Sequence, residues 1–175
     1  MVKIGFTGTH CTGKTTLVNR LHKDIPKSAV VKEVARNYDR DILRKCEYQK
    51  DILADQIRSE VYASIENEIV ITDRTIIDNI AYMMYFCGLE YHYMVYDILK
   101  DWIRTYDVIF FCPIEDIPLE DDGFRFTDNT ERDIIQLFIE DMVERYRFLV
   151  RFVKLSGDEE RRYMMVRMAL AQYGL

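Results

Sequence analysis

The sequence predicts a single α/β domain with three layers, in which a parallel sheet of five strands is covered by helices on both faces. Short β-branched runs alternate with longer helical patterns along all 175 residues, and this alternation is typical of parallel sheets. Three of the seven glycines, Gly5, Gly8 and Gly13, cluster around the turn between the first predicted strand and the first helix. No repeat or linker interrupts the pattern, so we expect residues 1–175 to form one domain.

Composition restricts the class of protein. Hydrophobic residues make up 49% of the chain and charged residues 31%, which suits a globular domain with a sizeable core. With 24 basic and 30 acidic residues the net charge is −6, so the chain lacks the global basic field that binds duplex nucleic acid. No apolar run approaches the roughly 18 residues that a membrane span needs. We expect neither duplex nucleic acid nor a membrane as a partner.

The first residues of the chain and its cysteines predict the cellular compartment of the protein. The first residues, Met-Val-Lys-Ile-Gly, enter a strand pattern at once and leave no room for a secretory signal. The cysteines are scattered without a C-x-x-C pair, which argues against a zinc site or a disulfide framework. We therefore expect a reducing, cytoplasmic environment. The four cysteines are Cys11, Cys46, Cys87 and Cys112.

The first part of the chain is predicted to contain two strands and two helices. Residues 2–6 form a short buried strand, and residues 14–24 form a helix with its leucines on one face. A second strand at 29–32 follows a proline. Residues 37–66 are predicted to be largely helical, because isoleucines and a valine recur there every four residues.

The middle of the chain repeats the alternation. The β-branched run at residues 68–74 is the third strand, and residues 75–88 form a helix that Gly88 closes at its C-terminal end. Residues 90–105 form another helical stretch, whose aromatic side chains belong to a core or interface or stack on a base. The fourth strand covers residues 106–113 and ends at a proline.

The last part supplies one strand and two helices. Thr130 with Asp133 three residues later resembles a capping box, which opens a helix to about residue 149. Residues 151–157 form the fifth strand, and residues 158–173 form the last helix. Arg161 and Arg162 lie at the start of that helix, either near a bound adenine or as an ordinary charged helix start.

A phosphate-binding loop explains the clustered glycines. Gly8, Gly13, Lys14 and Thr15 satisfy the pattern G-x-x-x-x-G-K-[ST] between a strand and a helix. Glycines let backbone N–H groups surround phosphate oxygens, and the helix N-terminus adds partial positive charge. Lys14 would reach the β- and γ-phosphates, and the Thr15 hydroxyl would bind Mg²⁺. The predicted ATP-binding residues are Gly8, Thr12, Gly13, Lys14, Thr15 and Thr16.

Several classes of nucleotide-binding protein do not fit. The chain has no N-K-x-D sequence for guanine and no D-x-x-G switch. AAA-type motors carry a second helical domain, for which 175 residues leave no room. Three further charged clusters follow predicted strands, at the edge where open α/β sheets bind ligands.

The first cluster is Glu33 and Arg36, just after the second strand. The Glu33 carboxylate could accept a proton from an acceptor hydroxyl, and Arg36 could hold an acceptor phosphate or ribose. A helix-capping glutamate with a surface arginine is the alternative.

The second cluster follows the third strand. Asp73 is predicted to organise Mg²⁺, and Arg74 to project toward the substrate; a buried ion pair is the alternative. Asp78 and Tyr82 lie on the same helix face and are predicted substrate contacts, with a structural role as their alternative.

The third cluster lies in a polar segment at about residues 114–130, which is predicted to be a short lid. Its Arg125 and the nearby Arg132 could swing onto the transferring phosphoryl group and stabilise its charge. A solvated loop with incidental arginines is the alternative.

These motifs together carry a resemblance. "GFTGTHCTGKTTL", "EVARNY", "TDRTIIDNIAY", "DIPLEDDGFRF" and "SGDEERR" follow one another in the chain. The sequence resembles the nicotinamide riboside kinase-like (NadR-type) phosphate-loop family, relatives of thymidylate and deoxynucleoside kinases. The resemblance implies a P-loop NTPase fold with strand order 2-3-1-4-5 and the cofactors ATP and Mg²⁺. It also implies that Glu33, Arg36, Asp73 and Arg74 line the acceptor side, with the lid arginines above.

The predicted function is therefore a small-molecule kinase that phosphorylates a nucleoside or nucleotide. The predicted catalytic residues are Lys14, Glu33, Asp73, Arg125 and Arg132. Two other functions stay open: a polynucleotide end kinase, which needs a local basic groove for single-stranded ends, and a nucleotide-binding ATPase without an acceptor. The sequence also leaves a homodimer open.

Overall fold

Five parallel strands form one sheet in the order β2-β3-β1-β4-β5. This computed structural model describes residues 1–115 and 129–175, apart from the side chain of His92. The strand order confirms the predicted fold class. The strands are β1 (Val2–Thr7), β2 (Ala29–Val31), β3 (Ile69–Asp73), β4 (Val108–Phe111) and β5 (Arg151–Lys154).

Helices cover both faces of the sheet. They lie where the sequence predicts them, with shorter bounds in several cases. The helices are α1 (Lys14–Asp24), α2 (Cys46–Glu66), α3 (Ile76–Cys87), α4 (Glu90–Met94), α5 (Tyr96–Ile103), α6 (Asn129–Tyr146) and α7 (Glu159–Leu170). Short 3₁₀ turns occupy Val34–Asn37, Arg40–Ile42 and Ala171–Tyr173.

Side chains along each strand point alternately to the two faces of the sheet, so the hydrophobic core has two parts. On β4, Ile109 and Phe111 belong to the cluster under α3, α5 and α6, whereas Val108 and Phe110 belong to the cluster under α1 and α7. Successive side chains of a strand point to opposite faces, so a strand buried on both faces reads as a continuous apolar run. The three predicted layers follow from this pattern.

The predicted boundaries differ from the observed ones in two places. Residues 37–66, which are predicted to be largely helical, contain α2 only from Cys46 onward, with short 3₁₀ turns before it. The predicted capping box at Thr130 was wrong, because Asn129 is already helical in α6. A capping box occurs instead at Thr75, which starts α3 with Asp78 at its third position.

A disulfide contradicts the prediction drawn from the cysteines. Cys46 at the start of α2 is bonded to Cys87 at the end of α3, across 41 residues of sequence. Because α2 and α3 pack side by side, their opposite ends meet, which cysteine spacing alone does not reveal. Cys11 and Cys112 are free. The cytoplasmic location stays a prediction.

The predicted lid falls mostly on residues 116–128, which lie outside the described residues. Within residues 1–115 and 129–175, no helix has the length and apolar character needed to cross a membrane.

Candidate active site

The phosphate loop joins β1 to α1, and its backbone requires glycine at two positions. Gly8 has a φ of 149° and Gly13 a φ of 78°, which residues with a side chain rarely adopt. A Cβ atom on Gly8 would lie 2.3 Å from the carbonyl oxygen of Cys112, just after β4. The loop therefore rests directly against the neighbouring strand.

The ammonium group of Lys14 points back into this loop. Its Nζ donates to the carbonyl oxygen of Thr9 at 2.5 Å and to Oγ1 of Thr12 at 3.2 Å. Burial, followed by the nearby Arg74 cation, lowers the pKa of Lys14 to about 8. The loop thus holds a poorly hydrated cation where the motif places the β- and γ-phosphates. Thr16, by contrast, is exposed on the first turn of α1.

Thr15 and Asp73 meet beside the loop. Oγ1 of Thr15 donates to Oδ2 of Asp73 at 2.6 Å. Hydroxyl and carboxylate oxygens suit Mg²⁺, whose other positions are usually filled by water and phosphate oxygens. Among the described residues, no group of three or more histidine, cysteine, aspartate or glutamate side chains could hold a metal by itself. The donors fit a cation shared with a nucleotide, and this metal role stays a prediction.

The backbone of Arg74, just after β3, has a strained conformation, and its side chain points toward Glu33 and Asp78. Its φ is 95°, in a region sparsely populated by residues other than glycine. Nε donates to Oε1 of Glu33 at 2.6 Å, and Nη1 lies 3.5 Å from Oδ1 of Asp78. The guanidinium carbon is 5.1 Å from the centre of the Tyr82 ring. A buried cation is thereby held between the phosphate loop and α3.

Glu33 connects two arginines of different exposure. It accepts from Arg74 and from Nε of Arg36, the latter at 3.0 Å. The Arg74 side chain is 5% exposed and that of Arg36 is 47% exposed. Arg74 therefore forms a buried ion pair, but with Glu33 and not with its neighbour Asp73, which bonds to Thr15 instead.

Asp78 ties the phosphate loop to α3. Its Oδ2 accepts from Oγ1 of Thr7 and from the backbone N–H of Thr75, both at 2.8 Å, and its Oδ1 accepts from the N–H of Gly8 at 2.9 Å. The residue is completely buried. These contacts give Asp78 a positioning role, and its direct contact with a substrate stays a prediction.

A pocket adjoins these groups, and the space of about 280 Å³ that it encloses includes open solvent at its mouth. Asn79 lines it and is 4% exposed. Within the described residues, its Oδ1 has no hydrogen-bond partner, which is rare for a buried polar atom. The lining residues are Ala35, Leu43, Gln49, Ile52, Arg74, Asp78, Asn79 and Tyr82.

Two further side chains contact the loop or its surroundings. Nη2 of Arg132, near the start of α6, donates to the carbonyl oxygen of Cys11 at 2.9 Å. Nδ1 of His10 lies 3.0 Å from the hydroxyl oxygen of Tyr82. The other predicted lid arginine, Arg125, lies outside the described residues, so its catalytic role stays a prediction.

Three side chains of this region are not among the site residues predicted from the sequence. Asn79 shares a helix face with Asp78 and Tyr82, so helical spacing could have found it. Gln49 lies in the first turn of α2, where no motif marks it, and its Nε2 donates to the carbonyl oxygen of Leu43. Arg162 is buried rather than exposed at a charged helix start.

The sheet order, the glycine-bounded loop and the Thr15–Asp73 contact together define a protein with the P-loop NTPase fold. The family model described as "AAA domain" matches residues 3–162. The chain therefore belongs to the AAA domain family. This match assigns the domain, and it does not assign the activity of AAA-type motors, which carry a second helical domain. No curated protein matches the sequence.

Solved structures with a similar fold include nucleoside and nucleotide kinases and NadR. A NadR protein in complex with NR has a TM-score of 0.76 at 21% identity, with 98% of this chain and 50% of that chain covered. Deoxyadenosine kinase from M. mycoides has a TM-score of 0.75 at 15% identity, with 98% and 100% covered. Thymidylate kinase from Candida albicans has a TM-score of 0.74 at 14% identity, with 99% and 92% covered.

The resemblance inferred from the motifs is confirmed, because the same group is found by fold. At these identities the likeness shows the fold alone. The chain spans about half the length of the NadR chains that it matches.

Proposed function

We propose that this protein is an ATP- and Mg²⁺-dependent kinase that transfers the γ-phosphoryl group to a nucleoside or nucleotide. Its main support is that Arg74, which is paired with Glu33, lines the cavity and has Nη1 3.5 Å from the carbonyl oxygen of Gly8 in the phosphate loop. Phosphoryl transfer depends mainly on positioning and on neutralising charge, and this arrangement offers cations from both sides.

On the nucleotide side, Lys14 would exchange its bonds to Thr9 and Thr12 for phosphate oxygens. Thr15 and Asp73 would hold Mg²⁺, which neutralises phosphate charge when bound. Arg132 already contacts the loop through Cys11, so a small movement would bring its guanidinium to the γ-phosphate.

On the acceptor side, Arg74 would orient the acceptor hydroxyl or phosphate toward the γ-phosphate. Glu33, fixed by Arg74 and Arg36, is the candidate for accepting the proton of an acceptor hydroxyl. Geometry precedes pKa in choosing a general base, and Asp73 is committed to Thr15. We therefore favour Glu33 as the base.

The polar atoms of the cavity indicate what the acceptor carries. Oδ1 of Asn79 is an acceptor that finds no donor among the described residues. A buried polar group left without its partner costs about 1–3 kcal/mol, and a bound molecule with an N–H or O–H group would remove that cost. The proposed acceptor therefore places a donor against Asn79.

Acceptor-dependent release of ADP tests the proposal. The purified protein with ATP and Mg²⁺ is offered ribonucleosides, deoxynucleosides, their monophosphates, nicotinamide riboside and a single-stranded oligonucleotide, with a no-acceptor control. We expect at least one nucleoside or monophosphate to raise ADP release well above the control. Release that depends only on the oligonucleotide, or that no acceptor changes, would contradict the proposal and favour an end kinase or an ATPase.

A further inference from the structure

Arg162, in the first turn of α7, is one of the most deeply buried large side chains in the protein, with 1% exposure. A long cation in such a place loses its hydration, which is costly unless polar partners replace the water. Its neighbour Arg161 is exposed at the same end of the helix. The two residues therefore differ in environment although they are adjacent in sequence.

The guanidinium of Arg162 joins three separate segments at the ligand-binding edge of the sheet. Nη1 donates to the carbonyl oxygen of Thr12 in the phosphate loop at 3.3 Å. Nη2 donates to the carbonyl oxygens of Pro113 at 3.3 Å and Glu115 at 2.7 Å, just after β4. Nε donates to the carbonyl oxygen of Gly157, between β5 and α7, at 2.9 Å.

The acceptors of these bonds are all neutral. In the part of the chain that the structure describes, no carboxylate lies within ion-pair distance of Arg162. Buried charges are usually paired with opposite ones, and a polyanion bound in the phosphate loop would supply an opposite charge close to this guanidinium. Thr12, which it contacts, also receives a hydrogen bond from Lys14 at 3.2 Å. The two cations thus hold opposite sides of one loop residue.

From this geometry we infer that Arg162 is a positioning residue for the triphosphate. It holds Thr12 and the rest of the phosphate loop against the segments that follow β4 and β5, and its buried positive charge favours a polyanion in the loop. The inference rests on the proposed triphosphate site and deepens it. Only a fork of several donors can reach three segments at once, so lysine is a poor replacement.

Binding measurements with matched variants test the inference. The Kd values for ATP and for inorganic tripolyphosphate are measured by calorimetry on the wild type and on Arg162→Lys, Arg162→Met and Arg145→Met, with the thermal midpoint of each. We expect Arg162→Met and Arg162→Lys to raise both Kd values at least about tenfold, as loss of a charged hydrogen-bond network predicts. Arg145→Met, which changes an exposed arginine on α6, should leave both within twofold.

The KM values for ATP and for the acceptor distinguish a positioning role from a merely structural role, which would not change one of them alone. In folded Arg162→Lys, the KM for ATP should rise while the KM for the acceptor stays within twofold. An unchanged Kd for ATP in folded Arg162→Lys would overturn the inference, whatever happens to the thermal midpoint. A substitution that weakens the binding of ATP but not of tripolyphosphate would also overturn the inference. Arg162 would then act on the adenine base of ATP and not on its triphosphate.

The outcome for the wild type separates the inference from the proposed function. If the wild type binds neither ATP nor tripolyphosphate, both fail together. If the wild type binds ATP and the Arg162 variants bind it equally well, the inference alone fails. If Arg162→Met does not fold, Arg162→Lys decides the question by itself.

Discussion

The two halves of the site are built in different ways. The phosphate-loop half is closed on itself: Lys14 bonds to Thr9 and Thr12, and Asp78 holds the N–H of Gly8. The cavity half keeps empty space and the unpartnered oxygen of Asn79. The first half is prepared for one kind of ligand group, whereas the second half still has a polar group to satisfy. Reaction chemistry and acceptor choice should therefore respond to different substitutions.

The largest expected effect is a loss of turnover when the phosphate-loop half is changed. Lys14→Ala should lower kcat by about 100- to 1000-fold, the range found when a preorganised transition-state donor is removed. Steady-state release of ADP with a saturating acceptor measures this. Lys23→Ala, at an exposed position in the last turn of the same helix, is the control and should keep wild-type turnover. A Lys14→Ala protein that turns over normally would contradict the assignment of the nucleotide site.

The pair between the halves should matter most for stability. Arg74→Met leaves the Glu33 carboxylate without its buried partner, and breaking such a pair costs about 3–5 kcal/mol. Arg36→Met removes a partner of the same glutamate that is 47% exposed, and should cost below about 1 kcal/mol. Urea unfolding of both variants measures the difference. Equal losses would show that burial of the Arg74–Glu33 contact is not what stabilises this region.

A smaller effect, on the KM for the acceptor, is expected when the cavity half is changed. Asn79→Leu removes the accepting oxygen but keeps the side-chain volume, so the KM for the acceptor should rise about tenfold while the KM for ATP stays the same. Asn79→Asp retains an accepting oxygen and should raise the acceptor KM less. An equal rise in both KM values for Asn79→Leu would mean that the two halves are not separable.

The most gradual expected effect is a pH dependence of nucleotide binding. Because the pKa of Lys14 is lowered from 10.5 to about 8, the free protein loses this charge as the pH rises past about 8. ATP affinity should then fall by up to about tenfold per pH unit, since binding would require uptake of a proton. Calorimetry between pH 7 and 10 measures the slope. Lys14→Arg keeps its charge over this range, so a similar slope in that variant would assign the effect to another group.

The same pKa has the opposite consequence for folding. The unfolded chain binds a proton at Lys14 up to about pH 10.5, whereas the folded, ligand-free protein releases it at about 8. Between these values the unfolded state binds more protons, so the contribution of Lys14 to the free energy of unfolding increases with pH.

The sequence predicts the phosphate-loop half of the site much better than the cavity half. The phosphate loop is one continuous stretch with its own pattern, and Asp73 and Arg74 follow a recognisable strand, so topology alone brings them to it. The cavity depends on how α2 packs against α3, and no local pattern encodes that packing. For the same reason Gln49 and the Cys46–Cys87 bond could not be predicted. The positive φ of Arg74 is also invisible, because arginine has no preference for that conformation.

The single carboxylate of Asp78 has a consequence for how such a protein can change over time. Because its oxygens accept from the N–H of Gly8 and from the N–H of Thr75 at the start of α3, a replacement of Asp78 would disturb the phosphate loop and α3 together. Under the proposed function, an evolutionary change of acceptor would then fall on cavity positions such as Leu43, Gln49 and Ile52, while the nucleotide site is retained.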